Sequence, residues 1–444
     1  MDKIVSADTI REITQRNRSN DLVGPPPSVA TIKERVVKTL QDIINKYQQE
    51  INRGDSNKKH DGKFNRAKRQ LKSFKKAIND IPSEFNLELV LYSRISKEDN
   101  RKTQHEFSSR VKPRFITFLA KNFEEDLKKL GICEHGLERM RHGLDPADEN
   151  GRYYDLSVDH IIERSGSGKL GLEKAVDPLM PKGSKPTYKV NHFSNLILMS
   201  HTVHDNIKNA INVPQSLPDL KAGESKWAIM AVPKRDKNNP QFVHVVTPGQ
   251  QKEYGMGYRK FTPSQSVSHA VYVTKQARLE VKEFLDHPMV CMAIRTLQEI
   301  AKNEGTSLDT LLIDQEVHNK KSMAQNKLSR IFQDIIKYDT DVWKSYKNRI
   351  LPLIQDMVDN WEHAYNKVTA PGVKLSYRKA FLQSYDRKNF KVLKKRISMV
   401  PIEGMGSMIH RLDELDKRIE KDSLAIVLDV EKHRPPNNKG FNNG

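Results

Sequence analysis

The stretch "YDLSVDHIIERSGSG", Tyr154 to Gly168, ends an apolar run in a carboxylate and an imidazole side by side. Its alternation predicts a strand from Leu156 to Ile162, so Asp159 and His160 point to opposite faces at one strand end. Downstream lies "NHFSNLILMSHTVHDNIKNAI", in which "NLILM" starts at Asn195 and continues into a helical pattern through Leu198, Val203 and Ile207. His201 and His204 sit one turn apart on that helix and share a face. The order is therefore strand, Asp-His, long loop, Asn, and a helix bearing His. Phosphodiester hydrolysis needs a base for water, a metal to neutralise the phosphate and the leaving oxygen, and a group that orients the base. An Asp and a His on different elements can hold one divalent ion. A neutral imidazole can take a proton from water near neutral pH, and an Asn side chain can fix the loop that carries it. Taken singly, Asp159 also suits a turn cap, His160 a strand-end histidine, His204 an exposed helix position and Asn195 an N-cap. It is their joint order and spacing that point to chemistry.

That order and spacing resemble the HNH (ββα-metal) nucleases. "LSVDHII" matches the first motif strand, and "NLILMSHTVH" the second half, with His204 nine residues after Asn195. The lead-in "MRHGLDPADENGRYYDL" is similar to the stretch before the histidines in toxin-type members, and its Gly143, Pro146 and Gly151 suit the turns of a β-hairpin. The resemblance covers Gly131 to Pro214. It implies that His160 is the general base, Asp159 and His204 are metal ligands, and Asn195 is the asparagine that shapes the loop. His201 and Asn206 are secondary candidates, and Arg164, Lys169, Lys185 and Lys208 are candidate phosphate contacts; for any one of these a solvated surface is the plain alternative.

The chain departs from the family in several places. The loop from His160 to Asn195 is longer than in compact members and rich in Gly, Pro and Lys, as a substrate loop would be. Glu163 stands where many relatives have proline. Lys208 stands where colicin-type members have a further histidine. The cysteine pairs of zinc-knuckle members are missing, since the chain has only Cys133 and Cys291. One carboxylate and one imidazole suit Mg²⁺, Mn²⁺, Ni²⁺ or Zn²⁺, and the hard oxygens favour Mg²⁺ or Mn²⁺.

The elements that must position these residues are mostly helical. The chain has 444 residues and a formal net charge of +20, from 76 Lys+Arg against 56 Asp+Glu. A field of that sign favours polyanions, nucleic acid first and an anionic membrane surface second. No run of 18 or more apolar residues exists, so no transmembrane helix is expected, and the N-terminus has no secretory apolar region. Two cysteines without a framework suit a reducing compartment. Ser28 caps a helix whose stripe is Val29, Ile32, Val36, Leu40, Ile43, Tyr47 and Ile51. The next helix, about 64–78, buries Ala67, Leu71, Phe74 and Ile78, and nine Lys or Arg against one acid lie between Lys58 and Lys76. Such a face is either simply solvated or tracks phosphates without sequence preference. "FNLELVLYSRI" fits a strand or a short buried helix, and 107–130 reads as one helix ended by Gly131. Trp227–Val232 and Phe242–Val246 predict a β-hairpin.

The expected fold class is α+β, predominantly α-helical, with an embedded ββα-metal core. The expected division is a basic helical region over 1–130, the nuclease domain over 131–214, a hairpin connector over 215–270, a helical domain over 271–434 and a disordered tail over 435–444. The expected activity is that of a metal-dependent HNH endonuclease, a hydrolase with DNA favoured over RNA. A catalytically inactive nucleic-acid-binding or scaffold protein with an HNH core is the alternative. A cytoplasmic defence enzyme, an effector delivered by a specialised secretion system, and a mobile-element enzyme all fit, with an immunity protein or another protein partner left open.

Overall fold

The computed structural model describes residues 25–54, 58–212, 220–234, 257–303, 305, 340–385, 387–398 and 404–432. The predicted strand Phe242–Val246 and the tail 435–444 lie outside them. The chain is mostly helical and forms two compact units, Met1–Arg259 and Lys260–Gly444.

The first unit opens with two helices, α1 (Val29–Asn52) and α2 (Lys58–Asn79). Ser28 caps α1 through its hydroxyl, which accepts from the Thr31 amide at 3.0 Å. Ile32, Val36 and Leu40 bury against Leu71, Phe74 and Ala77 of α2. The apolar segment that follows is strand β1 (Phe85–Ser93). The helical alternative loses because β1 finds an edge far along the chain. It pairs antiparallel with Ser225–Pro233, in register from Phe85 opposite Pro233 to Ser93 opposite Ser225. Among the described residues, the partner of Trp227–Val232 is thus β1.

The predicted helix 107–130 is broken into pieces. Helix α3 (Lys97–Glu106) runs into a π-helical turn, Phe107–Val111, then α4 (Lys112–Asn122) and α5 (Glu124–Lys129). Helix α6 (Glu134–Arg141) follows. Strand β2 (Leu156–His160) stops two residues short of the predicted end. It pairs antiparallel with Leu196–Ser200, placing His160 opposite Leu196 and Asp159 opposite Ile197. Between them lie α7 (Gly168–Leu172), β3 (Lys174–Ala175) and β4 (Thr187–Tyr188), and Leu196–Ser200 is β5. Then come α8 (His201–Val203), a second π-helical turn (His204–Lys208), α9 (Asn209–Asn212) and β6 (Ser225–Pro233).

The β2–β5 ribbon is buried on both faces. Leu156, Val158, Leu196 and Leu198 join a core with Phe107, Phe115 and Phe193. Ile197 and Met199 join the other core, built by α1, α2, β1 and β6. The N-terminal helices pack against residues of 131–214 and lie with them in the same compact unit.

The second unit contains α10 (Pro263–Leu285), α11 (Pro288–Asn303), α12 (Thr340–Thr369), α13 (Leu375–Ser384), α14 (Arg387–Ser398) and α15 (Met405–Lys432). Its centre is Trp361, 1% exposed, which meets Phe381, Tyr385 and Phe390 edge-on. The Trp361 indole N–H donates to Thr274 Oγ1 at 2.7 Å. Among the described residues no helix is long and apolar enough to cross a membrane.

Two glycines should respond oppositely to alanine. Gly62 lies inside α2 with open space where a Cβ would go. A Cβ on Gly166 would overlap the Tyr92 ring, whose hydroxyl hydrogen-bonds Ser165 Oγ at 2.9 Å. Gly62→Ala is expected to stabilise by about 1 kcal/mol, and Gly166→Ala to destabilise by about 1–3 kcal/mol. Urea titrations of both variants read this directly, and equal behaviour would contradict the packing.

Candidate functional site

The site is the end of the β2–β5 ribbon. Strand alternation sends Asp159 and His160 to opposite faces. His160 lies on the face of Leu156 and Val158, 5% exposed, with its ring 4.4 Å from that of Phe107. Its Nε2 is 2.9 Å from Asn191 Oδ1. The Asn191 amide nitrogen donates to the Thr103 carbonyl at 3.1 Å and to Glu106 Oε2 at 2.9 Å. Both of those partners only accept, so Asn191 must turn its oxygen to His160. The network therefore assigns the proton of the neutral imidazole to Nε2 and the lone pair to Nδ1. Nδ1 has no hydrogen-bond partner among the described residues. Burial, with the Arg164 charge in support, lowers the His160 pKa to about 3, so the ring is neutral at physiological pH.

Asn195 holds the backbone that carries His160. It is fully buried. Its Oδ1 accepts from the Ile162 amide at 2.8 Å, and its Nδ2 donates to the carbonyls of Ile162 at 3.1 Å and Val190 at 2.8 Å. The long loop is anchored in the same way at Asp177, whose carboxylate accepts from the Phe193 and Leu179 amides at 2.6 and 3.0 Å. His192 is buried there and its Nε2 lies 3.3 Å from the Ala175 carbonyl oxygen.

On the other face, Asp159 meets the helix. His204 and Lys208, four residues apart, both reach it. His204 Nε2 is 3.3 Å from Asp159 Oδ1, and His204 Nδ1 is 2.9 Å from Asp205 Oδ1. Lys208 is 1% exposed and donates to both Asp159 Oδ2 and the His160 carbonyl. Burial alone would raise the Asp159 pKa, but the Lys208 ammonium and His204 hold it well below the usual carboxylate range. Burial opposes protonation of His204, yet the Asp159 and Asp205 carboxylates outweigh it and raise its pKa to about 9. Burial pushes the neighbouring Glu163 carboxyl above its ordinary value, against the pull of Lys208.

His201, His204 and Asp205 could hold a metal ion, with one donor atom from each within 4.8 Å of the others. The His201 and His204 rings stack 6.0 Å apart, and His201 Nε2 is 3.4 Å from Asp205 Oδ2. Asp159 adjoins this group through His204. Family models, curated proteins and solved structures alike provide no match to the chain.

The remaining candidates divide by exposure. Lys169, Lys185 and Asn206 are exposed. Arg164 is half-buried, donates to Gln104 Oε1 and lies 6.0 Å from the Phe107 ring centre. Lys208 is buried, with its ammonium bonded to Asp159 and to the His160 carbonyl. Sequence reasoning missed Asn191, Glu106 and Asp205. Asp205 was findable as the neighbour of His204. Nothing in the sequence connects Glu106 to a histidine 54 positions later.

Two measurements follow from this geometry. His204 keeps its proton up to about pH 9 in the metal-free protein, and a metal must displace that proton. Mn²⁺ affinity is therefore expected to rise about tenfold per pH unit on the acid side of that value and to level above it; titration calorimetry giving a flat profile from pH 6 to 9 would remove His204 as a ligand. Lys208→Ala leaves Asp159 with His204 as its one remaining cation among the described residues and should cost about 3 kcal/mol. Mn²⁺ should raise the melting temperature of that variant more than that of the wild type, because the freed carboxylate gains a cation. Equal shifts would place the metal away from Asp159.

Proposed function

We propose that this chain is a metal-dependent phosphodiesterase acting on nucleic acid, an endonuclease of the HNH (ββα-metal) type. The observation that carries this reading is the juxtaposition at the ribbon end. A neutral imidazole with its Nδ1 lone pair open sits one residue from a carboxylate that meets a helix-borne histidine at 3.3 Å. The two antiparallel strands, the loop and the helix supply these groups in the order the resemblance requires.

The chain's own residues divide the work. His160 takes the proton of the attacking water at Nδ1, while Asn191 holds Nε2–H and so keeps the ring in that tautomer. Asn195 keeps the turn after β2 from moving. A divalent ion at His204, flanked by Asp159 or by His201 and Asp205, would neutralise the phosphate and the departing 3′ oxygen. Water adds to phosphorus as its proton passes to His160 Nδ1, the bond to the 3′ oxygen breaks, and the departing oxygen takes a proton from solvent. Two imidazoles beside carboxylates move the metal preference from Mg²⁺ towards Mn²⁺, Ni²⁺ or Zn²⁺, since Mg²⁺ favours all-oxygen sites.

The substrate is nucleic acid, with DNA favoured by the resemblance. The charge of +20 and the exposed Lys63, Arg66, Lys68, Arg69, Lys72 and Lys75 along α2 support a polyanion that is held without sequence preference. A second reading, binding without cleavage, is favoured by Lys208, whose ammonium already sits on Asp159.

Supercoiled plasmid incubated with Mg²⁺, Mn²⁺ or EDTA separates the two. Nicking or linearisation that needs the ion and falls at least about 100-fold in His160→Ala supports the nuclease. Salt-sensitive retention of plasmid, single-stranded DNA and RNA with no cleavage of any would overturn it in favour of binding alone.

A further inference from the structure

The Glu106–Asn191–His160 chain has a second end. Glu106 is also part of the wall of a cavity of about 570 Å³ that opens on the surface between α3, the π-helical turn and the β3–β4 pair. Arg101, Lys102, His105, Arg110, Lys174 and Tyr188 line it. Arg101 and His105 stand one turn apart on the exposed face of α3. Among the described residues, neither the Arg101 guanidinium nor the His105 ring has a hydrogen-bond or ion-pair partner. Lys174 lies opposite Tyr188 in the β3–β4 pair, with its ammonium 4.6 Å from the centre of the Tyr188 ring.

The acids nearby do not cancel this charge. The Glu106 carboxylate takes three donors, from Arg110 at 2.9 Å, the Tyr188 amide at 2.9 Å and Asn191 at 2.9 Å. Arg110 is held by that bond and by one to the Pro186 carbonyl at 3.0 Å. Lys102 is paired with Glu98 at 2.8 Å. Arg101, His105 and Lys174 remain to face a ligand. A groove with positive side chains and one aromatic ring fits a single nucleic-acid strand, whose phosphates meet the cations and whose bases can stack.

We propose that this groove binds the phosphodiester backbone of one nucleic-acid strand leading to the ribbon end. The inference rests on the nucleic-acid reading above, but not on cleavage. Its position explains why a loop as long as that between His160 and Asn195 is kept ordered: β3 and β4 form one wall of the groove, and Asn191, three residues after β4, holds the imidazole.

The test is fluorescence anisotropy of labelled single-stranded and duplex oligonucleotides with the full-length protein in EDTA. The double variant Arg101→Ala/Lys174→Ala is compared with Lys282→Ala/Lys302→Ala, which removes the same charge from exposed positions of the second unit. Melting curves confirm that both variants fold. The expected result is a loss of about tenfold or more in single-strand affinity, with the slope of log K against log salt shallower by about 1.4, two phosphate contacts at about 0.7 each. Affinity and slope equal to wild type, an equal loss in the control variant, a loss confined to duplex, or no DNA binding by wild type would each overturn the groove. Strand binding that depends on the groove with no cleavage under any ion would leave the groove standing and end the nuclease reading. Cleavage by an enzyme whose binding ignores Arg101 and Lys174 would do the reverse.

Discussion

The end of the β2–β5 ribbon is buried on both sides, and a buried polar atom without a partner is costly. That constraint decides most of what surrounds it. The turn after His160 has peptide groups that no strand can satisfy, and Asn195 supplies three of the hydrogen bonds they and Val190 need. The His160 ring lies against Phe107 and needs an acceptor for its one N–H, which Asn191 provides. Asn191 then needs acceptors of its own and finds them on the last turn of α3, at Thr103 and Glu106. Each solution creates the next requirement, and the chain ends at a groove where the charge can meet solvent.

The opposite face solves a different problem. A carboxylate at this depth needs positive charge, and the metal-free protein provides it twice, through His204 and Lys208. Lys208 also satisfies the His160 carbonyl, so it is a structural cation as well as a neighbour of the candidate ligands. Its presence gives the site a choice that a third imidazole would not. A metal can share Asp159 with the ammonium, or bind beside it at His201, His204 and Asp205. Both histidine-bearing and imidazole-supporting helices pass through a π-helical turn here, at His204–Lys208 and at Phe107–Val111. Such turns are frequent at functional sites.

The periodic parts of this architecture were legible in the sequence because one residue type meets one environment. The α1 stripe, its Ser28 cap and the basic α2 appear where the pattern puts them. The order of Asp159, His160, Asn195 and His204 around a strand, a long loop and a helix was also legible, but the helical pattern read through Leu198 starts only at His201, because Leu196–Ser200 pairs with β2 as a strand. What stayed hidden depends on contacts between distant segments. Strand β1 is a strand because β6 pairs with it, and Trp227–Val232 gave no hint of that partner. The break of 107–130 into three pieces is not written in its apolar spacing. Lys208 read as a surface lysine because nothing local shows that Asp159 waits opposite it. Asn191 and Glu106 are ordinary polar residues until the fold stacks them behind His160.

The central claim is that burial keeps His160 neutral while Asn191 holds its proton at Nε2 and leaves Nδ1 open. Nitrogen-15 NMR of the histidine-labelled full chain at pH 7 reads this most directly, with the His160 signals identified by their loss in His160→Gln. The account predicts the Nε2–H tautomer in the wild type and a mixture of tautomers in Asn191→Ala. A ring protonated at Nδ1, or at both nitrogens, in the wild type would contradict it.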